Sequence, residues 1–206
     1  MKHLRNHMFS VAGVGIFLFL ALATKPTDNS NNRRSSPNTT SYVNSRSDFS
    51  GKLADNYVDF SFDYPDTWKR VTETDSPNFV KVEKVQGNDT IENFAVGYVS
   101  GTRTMLPQFA QQVSDQFAPG FPHYKKVSEG ETTIGPYEGY EFRFTAEIVA
   151  GRDVWGRVVL LPSEGSKKGA ALVMLVTSLS PDVHGPRDVG EKGELPIILN
   201  SFRLRP

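Results

Sequence analysis

The sequence predicts an α+β domain, a three-layer α/β/α sandwich around a central, mostly antiparallel sheet. Three observations predict it. Residues 140–148 alternate Tyr140, Phe142, Phe144, Ala146 and Ile148 with Glu141, Arg143, Thr145 and Glu147, the period of two that marks a strand with one buried face. Residues 94–99 and 170–179 are instead apolar on both faces, as central strands covered from both sides are. Two other segments, 106–118 and 194–204, switch to a helical period and so supply the covering layers.

The chain has 206 residues, enough for one domain of roughly 150 residues and a tail. Formal net charge is zero. The stretch 56–206 carries sixteen basic and twenty acidic side chains, a balance of −4. A phosphate-binding surface needs a clustered positive excess, so nucleic acid is not an expected partner. There are no cysteines, which excludes disulfides, thiolate metal sites, a cysteine nucleophile and a lipidated cysteine.

Residues 1–24 begin with Lys2 and Arg5 and continue into an uncharged apolar run from Met8 to Ala23. That is the layout of a signal peptide or an N-terminal signal anchor, with Ala21-Leu22-Ala23 suited to cleavage. Positive-inside bias places the rest of the chain outside the cytoplasm. Residues 25–55 are rich in Ser, Asn, Thr, Asp and Arg, and are expected as a flexible polar tether. The folded domain is expected over 56–206.

The opening strand, 58–64, alternates Val58, Phe60, Phe62 and Tyr64 with Asp59, Ser61 and Asp63. Pro65-Asp66 then turns the chain, and Trp68 follows as a large surface to be returned to the core. Residues 79–85 and 94–99 are expected as the second and third strands, with Gly87-Asn88-Asp89 as the turn between them. In 106–118, Phe109, Val113 and Phe117 recur four apart, with Pro107 in the first turn, where its missing N–H costs little. Pro119-Gly120 ends that helix. Residues 140–148 and 154–161 form a hairpin around 150–153, and 170–179 is the buried central strand. The connection 180–193 is long, charged and interrupted by Gly and Pro. Leu195, Ile198, Leu199 and Phe202 give the closing helix.

Chemistry-bearing motifs are sparse. His123 and His184 are the histidines of the domain, and neither belongs to a metal-binding pair. There is no G-x-S-x-G elbow, and Gly165-Ser166-Lys167-Lys168-Gly169 has glycine and lysine in the wrong order for a phosphate cradle. Asp182, Asp188 and Glu191, with Glu194, crowd one connection and are the candidate calcium ligands, against the reading of a solvated charged loop. Arg33, Arg34, Lys125, Lys126, Lys167 and Lys168 are candidate contacts to an acidic partner or lipid, against the reading of solvated lysines and arginines.

The motifs F-S-F-D-Y-P-D-T-W-K at 60–69, F-V-K-V at 79–82, the helix at 106–118, E-G-Y-E-F-R-F at 138–144 and I-I-L-N-S-F-R-L at 197–204 together resemble the PsbP family. That family comprises extrinsic photosystem II proteins of the thylakoid lumen and their bacterial and cyanobacterial relatives. The resemblance spans about residues 54–206 and implies an α/β/α sandwich. It implies a non-enzymatic, extracytoplasmic, monomeric protein that binds or stabilises a membrane protein complex. Its alternative form is assembly or stabilisation of the oxygen-evolving complex of photosystem II in a photosynthetic host. Calcium is the one cofactor the resemblance implies; the residues themselves point to none. A third reading is a small-ligand carrier or hydrolase with His123 or His184 and two carboxylates in a cleft between sheet and helices.

Overall fold

The computed structural model describes residues 38–72, 77–148, 151–162 and 168–205. The expected signal segment, Arg33, Arg34 and Lys167 lie outside the described residues, and among those described no helix is long and apolar enough to cross a membrane.

Ten strands and three α-helices are described. In chain order they are β1 (Thr39–Val43), α1 (Gly51–Asp55), β2 (Phe60–Pro65), β3 (Lys69–Val71), β4 (Val80–Gln86), β5 (Asp89–Ser100) and α2 (Leu106–Phe117). There follow β6 (Lys125–Ile134), β7 (Tyr137–Ile148), β8 (Arg152–Leu161), β9 (Lys168–Thr177), α3 (Leu195–Ser201) and β10 (Arg203–Leu204). The main sheet has seven antiparallel strands in the order β3-β4-β5-β9-β8-β7-β6. A second, three-stranded sheet has the order β1-β2-β10. The α+β class expected from the sequence is the class observed.

The central strands obey the two-sided pattern. On β5, Phe94, Val96 and Tyr98 enter one apolar cluster while Ala95 and Val99 enter the other. The first face is covered by the small sheet and α3, with Phe62 of β2 edge-on to Phe94 and Phe60 stacked on Phe202. The second face is covered by α2, whose Leu106, Ala110, Val113 and Phe117 are buried against Phe142 and Phe144. One covering layer is thus a helix, and the other is a helix joined to a small sheet.

The structure departs from the sequence expectations in four places. The opening strand, β2, leaves the main sheet and pairs with β1 and β10. The folded part also begins before residue 56. Thr39–Val43, expected within the tether, pairs antiparallel with β2, and Tyr42 is buried with its ring between Phe60 and Phe62. One aromatic side chain in a polar stretch leaves no periodicity to read. β6 was not expected either, because an edge strand with mostly exposed side chains carries no apolar alternation. Finally, α3 ends at Ser201, and Phe202 is reached by extended backbone yet remains fully buried.

Trp68 is 3 % exposed, as expected of a core residue.

Candidate recognition surface

The long connection between β9 and α3, residues 178–194, has no strand or α-helix of its own. It lies on the face of the main sheet that α3 covers. Beneath it the strands present charged side chains where apolar ones would be ordinary. Arg157 shares its face with Val159 and Leu161, its register partner Arg143 lies beside it, and Glu92 shares a face with Phe94 and Val96. Arg143 is 8 % exposed, Arg157 4 % and Glu92 0 %.

The two arginines form a clamp. Arg157 donates from Nε to Glu141 at 2.8 Å and from Nη1 to Glu191 at 2.9 Å. Arg143 donates from Nε to Glu141 at 2.8 Å and from Nη2 to Glu191 at 3.2 Å. Its Nη1 lies 2.9 Å, 2.9 Å and 3.1 Å from the backbone carbonyls of Pro186, Arg187 and Val189. Strand carboxylate, strand guanidinium and connection backbone are therefore one network. Burial alone would raise the Glu141 carboxyl, but the guanidinium groups of Arg157 and Arg143 outweigh it and hold it below its ordinary value.

The connection is fastened a second time at its two ends. Ser180 donates its hydroxyl to Glu92 Oε1 at 2.9 Å. Glu194 Oε2 accepts from Trp68 Nε1 at 2.7 Å and pairs with Lys84 Nζ at 3.0 Å. Lys84 also lies 3.6 Å from Glu92. Burial pushes the Glu92 carboxyl up, and neither Lys84 nor the Ser180 hydroxyl fully offsets it. Leu179, His184, Arg187 and Lys192 are exposed on the outer side of this fastened segment.

The residues singled out from sequence are dispersed. Asp182, Asp188 and Glu191 do not converge. Glu191 is held by the two arginines, Asp188 accepts the His184 backbone N–H at 3.1 Å and pairs with Lys192 at 3.0 Å, and Asp182 packs beside Gly193. Among the described residues no group of three potential ligands is placed to hold a metal ion. Glu191 and Asp188 are thus engaged by cations and an N–H close to them, and Asp182 stands apart from both. Lys126 binds Gln111 and Glu129, Lys125 is exposed at the start of the edge strand, and Lys168 opens β9. The His123 side chain is 76 % exposed and 3.9 Å from Glu147, and His184 is exposed on the connection. The space between sheet and α2, offered as a cleft, is packed by Phe117, Phe121, Phe142 and Phe144.

Sequence reasoning missed Glu92, Arg143, Arg157 and Glu141. Glu141 and Arg143 alternate with apolar neighbours and read as a solvated face. Arg157 alone carried a usable signal, since it interrupts the apolar run Val154–Leu161 at a position that alternation assigns to the core.

No protein-family model matches the chain, and no curated protein sequence does. Solved structures do resemble it. One is the solution structure of cyanobacterial PsbP (CyanoP) from Synechocystis sp. PCC 6803, at 14 % identity and a TM-score of 0.46, covering 86 % of this chain and 98 % of that one. Another is LpqN, involved in cell envelope biogenesis of Mycobacterium tuberculosis, at 11 % identity and 0.49, covering 82 % and 92 %. The likeness is one of chain course. The first bears the name of the family that the sequence resembles, and neither carries an argument about activity, ligand or partner.

Proposed function

We propose that this chain is an extracytoplasmic, non-catalytic binding domain that docks on a membrane protein complex through the 178–194 connection. The clamp carries this reading. Burying an ion pair costs several kcal/mol per ion before attraction returns any of it, and such pairs are weak devices for stability. Here Arg143 and Arg157 fix an irregular, Gly- and Pro-containing segment in one conformation. A loop held rigid before binding loses less conformational entropy when a partner arrives. The export-type layout of residues 1–24 and the resemblance of the sequence to the PsbP family support the location and the class of partner.

The test uses the tagged full chain on detergent-solubilised membranes of its host, beside Leu179→Asp and Arg187→Glu, which alter exposed side chains outside the clamp. The wild type recovers a defined complex, and both variants lose it while keeping the wild-type melting curve. Recovery of the same complex by the variants, or of nothing above background by the wild type, refutes the proposal.

A further inference from the structure

The two ends of the 178–194 connection meet on one cross-strand ion pair. Lys84 of β4 and Glu92 of β5 are register partners, Ser180 holds Glu92 at the entry, and Glu194 holds Lys84 at the exit. Gly193 roofs the pair with φ +72°, and a Cβ placed there would sit 3.7 Å from both Glu92 oxygens. Glu92 is fully buried, and its Oε2 has no hydrogen-bond partner among the described residues. The groups facing it are Lys84 from β4 and Ser180 and Glu194 from the connection, with Asp182 acting on Lys84; its partner on β9, Val176, is apolar.

We propose that Glu92 is a proton-operated latch, so that the connection closes more tightly over the sheet when Glu92 is protonated and loosens as it ionises. The reason is the unequal hydration of the two forms. Closing the connection strips water from an oxygen that receives no donor in return, which is costly for a carboxylate and much less so for a carboxylic acid. Burial places the closed-state carboxyl above its ordinary value of 4.5. The closed state therefore binds more protons than the open one between 4.5 and that raised value. Closure gained from Glu92 is complete below 4.5 and is lost as pH rises through the raised value. Glu141 and Asp188, both held below their ordinary values, act in the opposite direction and only at more acidic pH. As a control on partner docking, the latch rests on the reading of 178–194 as the recognition surface; as a property of the free chain it does not.

Amide hydrogen exchange of peptides spanning 182–193, corrected for intrinsic rates, reads the latch in the full chain without any partner. In the wild type, protection rises as pH falls from neutral, by up to about tenfold per pH unit within the window. Glu92→Gln removes that dependence and keeps high protection at neutral pH. Ser180→Ala, which takes away the hydroxyl hydrogen bond to the anion, lowers protection at neutral pH and moves the window upward. Flat wild-type protection, a slope unchanged in Glu92→Gln, or Ser180→Ala identical to wild type each overturns the proposal. Failure of the membrane pull-down with these exchange results intact would remove the docking reading and leave the latch.

Discussion

Replacing Arg157 by Met would test whether the clamp is built as described. The change deletes the donors that reach Glu141 at 2.8 Å and Glu191 at 2.9 Å, while Met keeps much of the buried stem volume. Glu141 would retain Arg143 and the Thr132 hydroxyl, with its own side chain 15 % exposed and little water available in exchange. Breaking one partner of a buried pair costs about 3–5 kcal/mol, a large part of the ~5–15 kcal/mol that a domain has. Because Arg143 remains, the lower end, about 3 kcal/mol, is expected. Urea unfolding at pH 7 would show it as a fall in midpoint at unchanged slope. The partner change Glu141→Gln, made alone and together with Arg157→Met, completes a double-mutant cycle. The pair should couple by about 1.5 kcal/mol or more, since removing both leaves no stranded charge. Additive costs, or a loss below about 1 kcal/mol for Arg157→Met, would show that the network is solvated and that the connection is not held by it.

Further outcomes follow from other contacts. Trp68→Ala should cost about 3–5 kcal/mol in the same assay, because the indole is 3 % exposed in the larger apolar cluster. Trp68→Phe should cost less and should speed proteolysis within 180–194, because it removes the 2.7 Å bond to Glu194 but keeps a ring in place. Gly156→Ala should cost about 1–3 kcal/mol, since the new Cβ would fall 2.1 Å from the Phe144 ring, which neighbouring aromatic rings hold in place. Acid should weaken the clamp itself. Glu141 is held below its ordinary 4.5, so the stability it contributes is present above that value and lost as pH falls through the lower folded value. Glu141→Gln should flatten the acid limb of a pH–stability curve, and an unchanged limb would contradict the sign.

The sequence made the main sheet legible where both periodicity and burial were strong. The hairpin of β7 and β8, the central strand β9 and the helix α2 all stand near where alternation, apolar runs and Pro107 placed them. It hid β6 because an edge strand can be polar on both faces, and it hid β1 because only Tyr42 of its five residues is buried. The clamp under the connection was hidden for a different reason. A charged residue alternating with apolar ones satisfies the pattern of a solvated face equally well whether water or a loop lies over it. Glu141 and Arg143 are on such a face, and what covers them is a segment more than forty residues later in the chain. Local pattern carries no information about that cover.

The choice of arginine at two register-paired positions on β7 and β8 follows from what covers them. Two leucines there would pack well under a helix, whose carbonyls are bonded within the helix. The 178–194 connection has no such internal ladder, and it turns the carbonyls of Pro186, Arg187 and Val189 toward the sheet. A buried carbonyl left without a donor costs about 1–3 kcal/mol, so three of them would open the connection. Arg143 Nη1 lies within hydrogen-bonding distance of all three and shares its two N–H groups among them, and Glu141 and Glu191 neutralise the guanidinium group. The charge under the connection is thus the consequence of an irregular segment lying where a helix would have been simpler. An irregular segment can offer outward side chains, Leu179, His184, Arg187 and Lys192, in an arrangement that no single helix face provides. A costly buried network is thus exchanged for a shaped outer surface, and it is this exchange that the proposed docking role would use.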